Sequence, residues 1–437
     1  MKLFAFGSNG SGQLGIGHEE DVSTPIQCLF EHQDPNPKSQ MSPIPTTLPN
    51  NESGIKTIAA GGNHTLILTT TGTVYAAGCN ADGRCGPRQT ITSTPETSNI
   101  LRFRQLVFPD PVSGPTISNF KHVSATWEGT IVVASVSQDR LDEDKVFVFG
   151  SSPKGELGIG LETLSAEGSC IPSFPPAGVN IVALASGMAH SAVVLGNGEV
   201  WGWGASRKGQ LGDGNRGVRI AYSPVKVLVP LLAERVVCGR EFTVVSGGGR
   251  FVVLGDGGNR WGFLDVPVSL GVGGRGGEEK CGGCEGFISS CYTDIGASWH
   301  GVYVHAAPGL DSAERLRSDG EALCASSRVD GQTGAGSDVV GGSLVAWGRN
   351  DRGQLPPGDL PTPVKVAVGS EHVLALLGDG RVAAFGWGEH GNCGPETDSQ
   401  GNVSGKYSVI ALPEDVGANE EVVGVGAGCA TSWIVVS

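Results

Sequence analysis

The chain has 437 residues, 39% of them hydrophobic and 17% charged, with a formal net charge of −14, 70 glycines and 11 cysteines. The acidic total argues against a polyphosphate binder, which carries a basic face, and no apolar run reaches the roughly 20 residues of a membrane span. An odd number of cysteines at irregular spacings fits a reducing compartment better than a disulfide framework.

The first element is a strand, Leu3-Phe4-Ala5-Phe6-Gly7, followed by a turn containing Gly12-Gln13-Leu14-Gly15. Residues 31–54, rich in Pro, Ser, Asn and Gln, read as a mobile surface loop. A second unit covers 58–86. Thr65-Leu66-Ile67-Leu68 turns at Thr71-Gly72 into Val74-Tyr75-Ala76-Ala77-Gly78, and Gly83-Arg84-Cys85-Gly86 replaces the Gly-Gln-Leu-Gly phrase. A Pro- and Thr-rich insertion follows at 87–115. The third unit, 120–160, is expected to carry a charged loop at 137–145 instead of a tight hairpin.

The fourth unit is the clearest. Ala192-Val193-Val194-Leu195 is an apolar strand, Asn197-Gly198 a hairpin turn, and Val200-Trp201-Gly202-Trp203-Gly204 the returning strand, closed by Gly209-Gln210-Leu211-Gly212. Asn-Gly suits such a turn because both central residues of a type I′ turn need φ > 0. Residues 228–234 have room for a turn or two of helix. The fifth unit is degenerate, with Phe251-Val252-Val253-Leu254-Gly255 and then Arg260-Trp261-Gly262. The sixth starts at 295–304 and resumes at Leu344-Val345-Ala346-Trp347-Gly348. Irregular insertions occupy 265–294 and 308–342, and the latter is expected to be disordered. The seventh runs from 366 to 394, and a polar loop, 396–408, leads to a closing segment at 427–436.

Counting the strand that ends in glycine (Gly7, Gly78, Gly150, Gly204, Gly255, Gly348, Gly386) gives seven units. Small sheets of this kind cannot bury both faces alone, and radial stacking lets each cover its neighbour. The split first unit closes the ring. The expected architecture is all-β: a single seven-bladed β-propeller over 1–437, closed by pairing of the N- and C-terminal strands.

His64, His190, His300 and His372 each sit three residues after the glycine or alanine opening the loop before a strand, with Gly129, Phe242 and Thr431 in the same slot elsewhere. Equivalent positions in different blades are far apart, so these histidines are read as structural, bonding neighbouring backbone, not as metal ligands. The loop tips before that slot gather on one face around the central mouth. They supply the candidate partner-binding residues Asn63, Trp127, Glu128, Met188, Arg240, Glu241, Trp299 and Glu371, among them residue types enriched at interfaces. Trp201, Trp203, Trp347, Phe149, Phe6 and Phe385 are read as packing between blades. Cys281-Gly282-Gly283-Cys284 with Cys291 has the spacing of a metal pair but lacks a second pair, and no metal or cofactor is assigned. Gly271-Val272-Gly273-Gly274-Arg275-Gly276 has no strand–helix frame and is not a dinucleotide site. No nucleophile, base and orienter assemble, so no enzyme is expected.

The phrase Gly-x-x-His, then Gly-x-Val-x-x-x-Gly, then Gly-Gln-Leu-Gly resembles the repeat of the regulator of chromosome condensation family, which implies a seven-bladed propeller. Within it, the opening Phe4-Ala5-Phe6-Gly7-Ser8-Asn9-Gly10, the following Gly15-Ile16-Gly17-His18-Glu19-Glu20-Asp21 and the ending around Ala430-Thr431-Ser432-Trp433 are similar to the fungal alpha-tubulin suppressor branch. That resemblance implies a non-enzymatic scaffold that forms a heterodimer with the small zinc-finger diphthamide protein, an iron-electron carrier. It further implies support of diphthamide formation and Elongator-dependent modification of tRNA wobble uridines in the cytoplasm and nucleus, with no direct nucleic-acid or membrane contact. The founding member of the family is an exchange factor for the small GTPase Ran and binds chromatin. Exchange on a Ran-like GTPase is therefore the alternative, while the acidic charge and the missing basic tail depart from the chromatin binder.

Overall fold

The strands His64–Thr69, His190–Leu195, His372–Leu377 and Thr431–Val436 are buried at every residue. A strand with one wet face would alternate, so a continuous buried run needs cover on both faces. The computed structural model of the chain supplies that cover by stacking seven four-stranded antiparallel sheets around an axis. It describes all residues except 32–46, 49–53, 88–98, 111–113, 115, 139–140, 162, 216, 256–258, 263–264, 268–282, 288–291, 307–338, 342–343, 415 and 418.

Blade 1 joins the two ends of the chain, in the order Val22–Gln27, Lys2–Gly7, Thr431–Val436, Val422–Ala427. Its central register sets Phe4 opposite Ile434 and Ala5 opposite Trp433. Blades 2 to 7 follow in chain order over residues 55–105, 122–170, 181–227, 235–287, 292–348 and 363–410. In each blade the first strand lies innermost and lines the axis. The core is a ring of layers between blades, with successive residues of one strand serving opposite layers. Leu66 and Leu68 pack toward blade 3, whereas Ile67 packs toward blade 1.

All seven counted glycines end third strands with positive φ, from 94° at Gly204 to 120° at Gly348. A side chain is excluded there by a neighbouring carbonyl. A Cβ on Gly7 would sit 2.3 Å from Ala430 O, and one on Gly78 2.4 Å from Asn63 O. The same carbonyls accept the next N–H, from Ser8 at 2.8 Å and Cys79 at 2.8 Å. The Gly-Gln-Leu-Gly phrase closes the following turn. The Gln13 and Gln210 side chains, and that of Gln354 in the variant Gly353-Gln354-Leu355-Pro356, each accept the N–H two residues back, at 2.8–2.9 Å, and Leu14 and Leu211 are fully buried.

Several sequence expectations change. The expected charged loop at 137–145 is ladder, since pairing of Gly129–Gln138 with Leu141–Ser151 runs on to Gln138 opposite Leu141. Residues 228–234 hold no helix, because they bridge two sheets at the rim; the helical element among the described residues is the short 3₁₀ turn Asp213–Asn215. Within the expected polar loop 396–408, Asn402–Ile410 is the fourth strand of blade 7, buried at its two ends and exposed in its middle. Asn99–Gln105 and Gly283–Phe287 likewise complete blades 2 and 5 from inside stretches read as irregular insertions. Most of 31–54 and 308–342 lies outside the described residues, as do Gly271 to Gly276, Cys281 and Cys291.

Candidate protein-interaction face

The loops joining first to second strands, and third to fourth, open on one face of the ring. Their alignment follows from the ladder: His64, Gly129, His190, Gly301, His372 and Thr431 are paired with the glycines Gly78, Gly150, Gly204, Gly348, Gly386 and Gly7. Gly301, not His300, therefore occupies the slot in blade 6. His300 stands one residue earlier, and its carbonyl accepts Arg349 N–H at 2.9 Å just as Glu371 O accepts Trp387 N–H at 2.9 Å.

The three true slot histidines are clamps between blades. His64 Nε2 reaches Thr130 Oγ1 at 2.9 Å, His190 Nε2 reaches Thr243 Oγ1 at 3.0 Å, and His372 Nε2 reaches Ser432 Oγ at 2.9 Å. Each hydroxyl spends its one proton on a carbonyl, of Arg84, Gln210 or Asn392, at 2.7–2.8 Å. The imidazole must then donate from Nε2 and is neutral. Burial pushes the His64, His190 and His372 rings down to about 3, about 4 and about 4. The partner is thus a side-chain hydroxyl of the next blade, where the sequence reading expected backbone. In blade 5 the slot holds Phe242 and the next blade answers with Val302, both buried in one apolar cluster.

The loop tips are tied into a collar by backbone bonds between blades. Gly62 N donates to Trp127 O (2.9 Å), Trp127 N to Met188 O (3.0 Å), Arg240 N to Trp299 O (3.1 Å), Trp299 N to Ser370 O (2.9 Å) and Ser370 N to Gly428 O (3.0 Å). Across this collar the indoles of blades 3 and 6 meet: Trp127 and Trp299 lie 5.8 Å apart, tilted by 44°. The other side of Trp127 rests on Gly62, where a Cβ would come within 2.7 Å of the ring. The guanidinium of Arg240 lies 5.2 Å over Trp299. Met188 and both tryptophans line a cavity of about 130 Å³ in the mouth. The thiols of Cys238 and Cys429 there are pushed up to about 12 by burial, which leaves them protonated and poor nucleophiles at neutral pH.

The candidate residues separate accordingly. Trp127, Met188, Trp299 and Arg240 come together at the mouth. Asn63 is exposed, and Glu128 and Glu241 are half-buried. Glu371 is 4% exposed and points inward, so its carboxylate is unavailable to a partner. It accepts Arg349 Nη1 at 2.9 Å and Gln354 Nε2 at 2.7 Å, and lies 3.3 Å from His300 Nδ1. Burial pushes the Glu371 carboxyl up, but the bonds from His300 and Gln354 and the charge of Arg349 outweigh it and hold it below the usual range. Arg349 in turn stacks 4.5 Å over Trp261. Trp261, read in the sequence only as part of a turn, and Arg349 and Gln354, given no role there, stand in the second set of loops; the visible signal was tryptophan beside arginine in a turn. Of the residues expected to pack between blades, Trp203, Trp347, Phe149, Phe6 and Phe385 are buried, whereas Trp201 is partly exposed. Among the described residues no cluster of His, Cys, Asp or Glu could hold a metal.

The regulator of chromosome condensation (RCC1) repeat matches residues 2–68, 55–84, 181–210, 197–254 and 364–392. An RCC1 repeat-containing protein of Schizosaccharomyces pombe is 27% identical over 99% of this chain and 98% of its own length. The secretion-regulating guanine nucleotide exchange factor of Mus musculus is 26% identical over 98% of this chain and 82% of its own. Among solved structures, yeast RCC1 (Prp20), determined bound to Kap60, superposes with a TM-score of 0.63 at 18% identity, covering 99% of this chain and 88% of that one. The chain is thus a seven-bladed β-propeller, and three stretches of it, 2–84, 181–254 and 364–392, match the RCC1 repeat.

Proposed function

We propose that the chain is a non-enzymatic docking propeller that binds a protein partner on the face carrying Trp127, Trp299 and Arg240. The observation that carries this is the row Gly62, Trp127, Trp299, Arg240 laid across a hydrogen-bonded collar. Tryptophan and arginine are the residues in which interface energy concentrates, and a rigid collar lowers the ordering entropy of binding.

The partner in this reading is the small zinc-finger diphthamide protein, bound as a heterodimer that supports diphthamide formation and Elongator-dependent tRNA wobble uridine modification. The similarity of the opening and closing segments to the alpha-tubulin suppressor branch supports it. A second reading, nucleotide exchange on a Ran-like small GTPase, is favoured by the similarity to the mouse exchange factor over 98% of this chain. Two measurements separate them. Co-purification of the zinc-finger protein with the chain, lost in Trp127→Ala, supports the first, and absence of any complex refutes it. Accelerated release of labelled GDP from the GTPase at catalytic amounts of the chain supports the second.

A further inference from the structure

The four cation–π pairs among the described residues all lie on this face, in consecutive blades. Arg240 stacks on Trp299, Arg260 and Arg349 both stack on Trp261, and Arg352 stacks on Trp387, at 4.5–5.2 Å from the ring centroids. Four arginines elsewhere are paired with carboxylates: Arg84 with Asp82, Arg104 with Glu31, Arg235 with Asp294 and Arg381 with Asp379. Arg349 is committed too, to Asp351 and Glu371. Arg240, Arg260 and Arg352 form no ion pair among the described residues.

The acidic groups nearby are already engaged. Glu371 is held by Arg349, Gln354 and His300; Asp351 by Arg349 and Gln354; Glu389 accepts Trp387 Nε1 at 3.0 Å; and Asp21 pairs with His390. Glu241 remains, next to Arg240 in the chain. A guanidinium stacked on an indole has lost much of its rotamer freedom while its N–H edge stays open, which is the preorganised state for bidentate carboxylate binding. In a chain of net charge −14, three such groups in an arc are a local inversion of sign.

We propose that Arg240 on Trp299, Arg260 on Trp261 and Arg352 on Trp387 form a carboxylate-reading arc that takes an acidic segment of a protein partner. This deepens the docking reading and rests on it. The acidic protein is favoured over a nucleic acid because three separate guanidinium forks suit discrete carboxylates, whereas phosphate-backbone binding rests on a clustered basic face and this chain carries a net charge of −14.

The test is fluorescence anisotropy on the full chain, with a labelled polyglutamate peptide, a polylysine peptide of equal length and a single-stranded oligonucleotide. Polyglutamate is expected to bind, polylysine not. The triple variant Arg240→Gln, Arg260→Gln, Arg352→Gln should weaken polyglutamate binding about tenfold, with the unfolding midpoint unchanged, and Trp261→Ala should weaken it in part by freeing Arg260. Absence of polyglutamate binding, equal binding by the triple variant, or tighter binding of the oligonucleotide through the same arginines overturns the proposal. If Trp127→Ala abolishes capture of the zinc-finger protein but the arginine triple does not, the arc is refuted while the docking face stands. If the arc reads polyglutamate and no zinc-finger protein is captured, the arc stands and that partner falls.

Discussion

Ser432→Val probes the seam that closes the ring. Ser432 Oγ accepts from His372 Nε2 and donates to Asn392 O, at 2.9 and 2.7 Å, joining blade 7 to blade 1. Both His372 and Ser432 are 0% exposed, so water cannot replace the lost partner. Valine orphans one N–H and one carbonyl, each worth about 1–3 kcal/mol when buried. The added apolar volume returns about 1 kcal/mol, leaving a loss of about 1–5 kcal/mol. The protein contains its own control in Phe242 and Val302, which fill the equivalent positions of blades 5 and 6 without a hydroxyl. The double variant His372→Phe, Ser432→Val removes the orphaned donor, and its loss should fall to about 1–2 kcal/mol, so that the two substitutions couple favourably by at least ~1 kcal/mol. Urea unfolding followed by tryptophan fluorescence, with the slopes compared, measures both. A single variant within about 0.5 kcal/mol of the parent, or a double variant as poor as the sum of the singles, would refute the clamp.

Acid should open the ring at these seams. The folded pKa values of His64, His190 and His372 lie below the ordinary one, so their contribution is present above about pH 6.5 and is lost as pH falls toward about 4. At pH 5 the linkage amounts to at most about 2 kcal/mol per histidine, and the His372→Phe, Ser432→Val variant should show a shallower decline across that window. A parent whose stability is flat from pH 6.5 to 4.5 contradicts the assignment of neutral clamps. Trp127→Ala should cost about 1 kcal/mol of stability because it breaks a half-buried aromatic pair. Trp203→Ala, which empties a fully buried site and strands Glu156 O, should cost about 3–5 kcal/mol; equal losses would make Trp127 a core residue. Gly78→Ala sets a methyl 2.4 Å from Asn63 O at φ +112°, so its melting temperature should fall by several degrees, and an unchanged value would show that the blade yields there.

The glycine-ended third strands, the hairpin turns and the split first unit were legible in the sequence because each is a local constraint. A positive φ, a tight turn or an all-apolar run shows itself within a few residues. The expected closure of the ring followed from the split unit, and Lys2–Gly7 does pair with Thr431–Val436. What the chain could not display locally is how one blade answers another. His300 read as the fourth slot histidine because its spacing from Ala297 matches the others, yet only the ladder shows that Gly301 stands opposite Gly348 and that His300 turns to Glu371. Glu371 looked like an exposed loop tip, and tertiary packing made it the buried acceptor of three side chains. The meeting of Trp127 with Trp299 belongs to the same class. Residues some 170 positions apart touch only because three intervening blade rotations bring blades 3 and 6 across the axis, a distance set by the curvature of the ring and by no pattern within a single repeat.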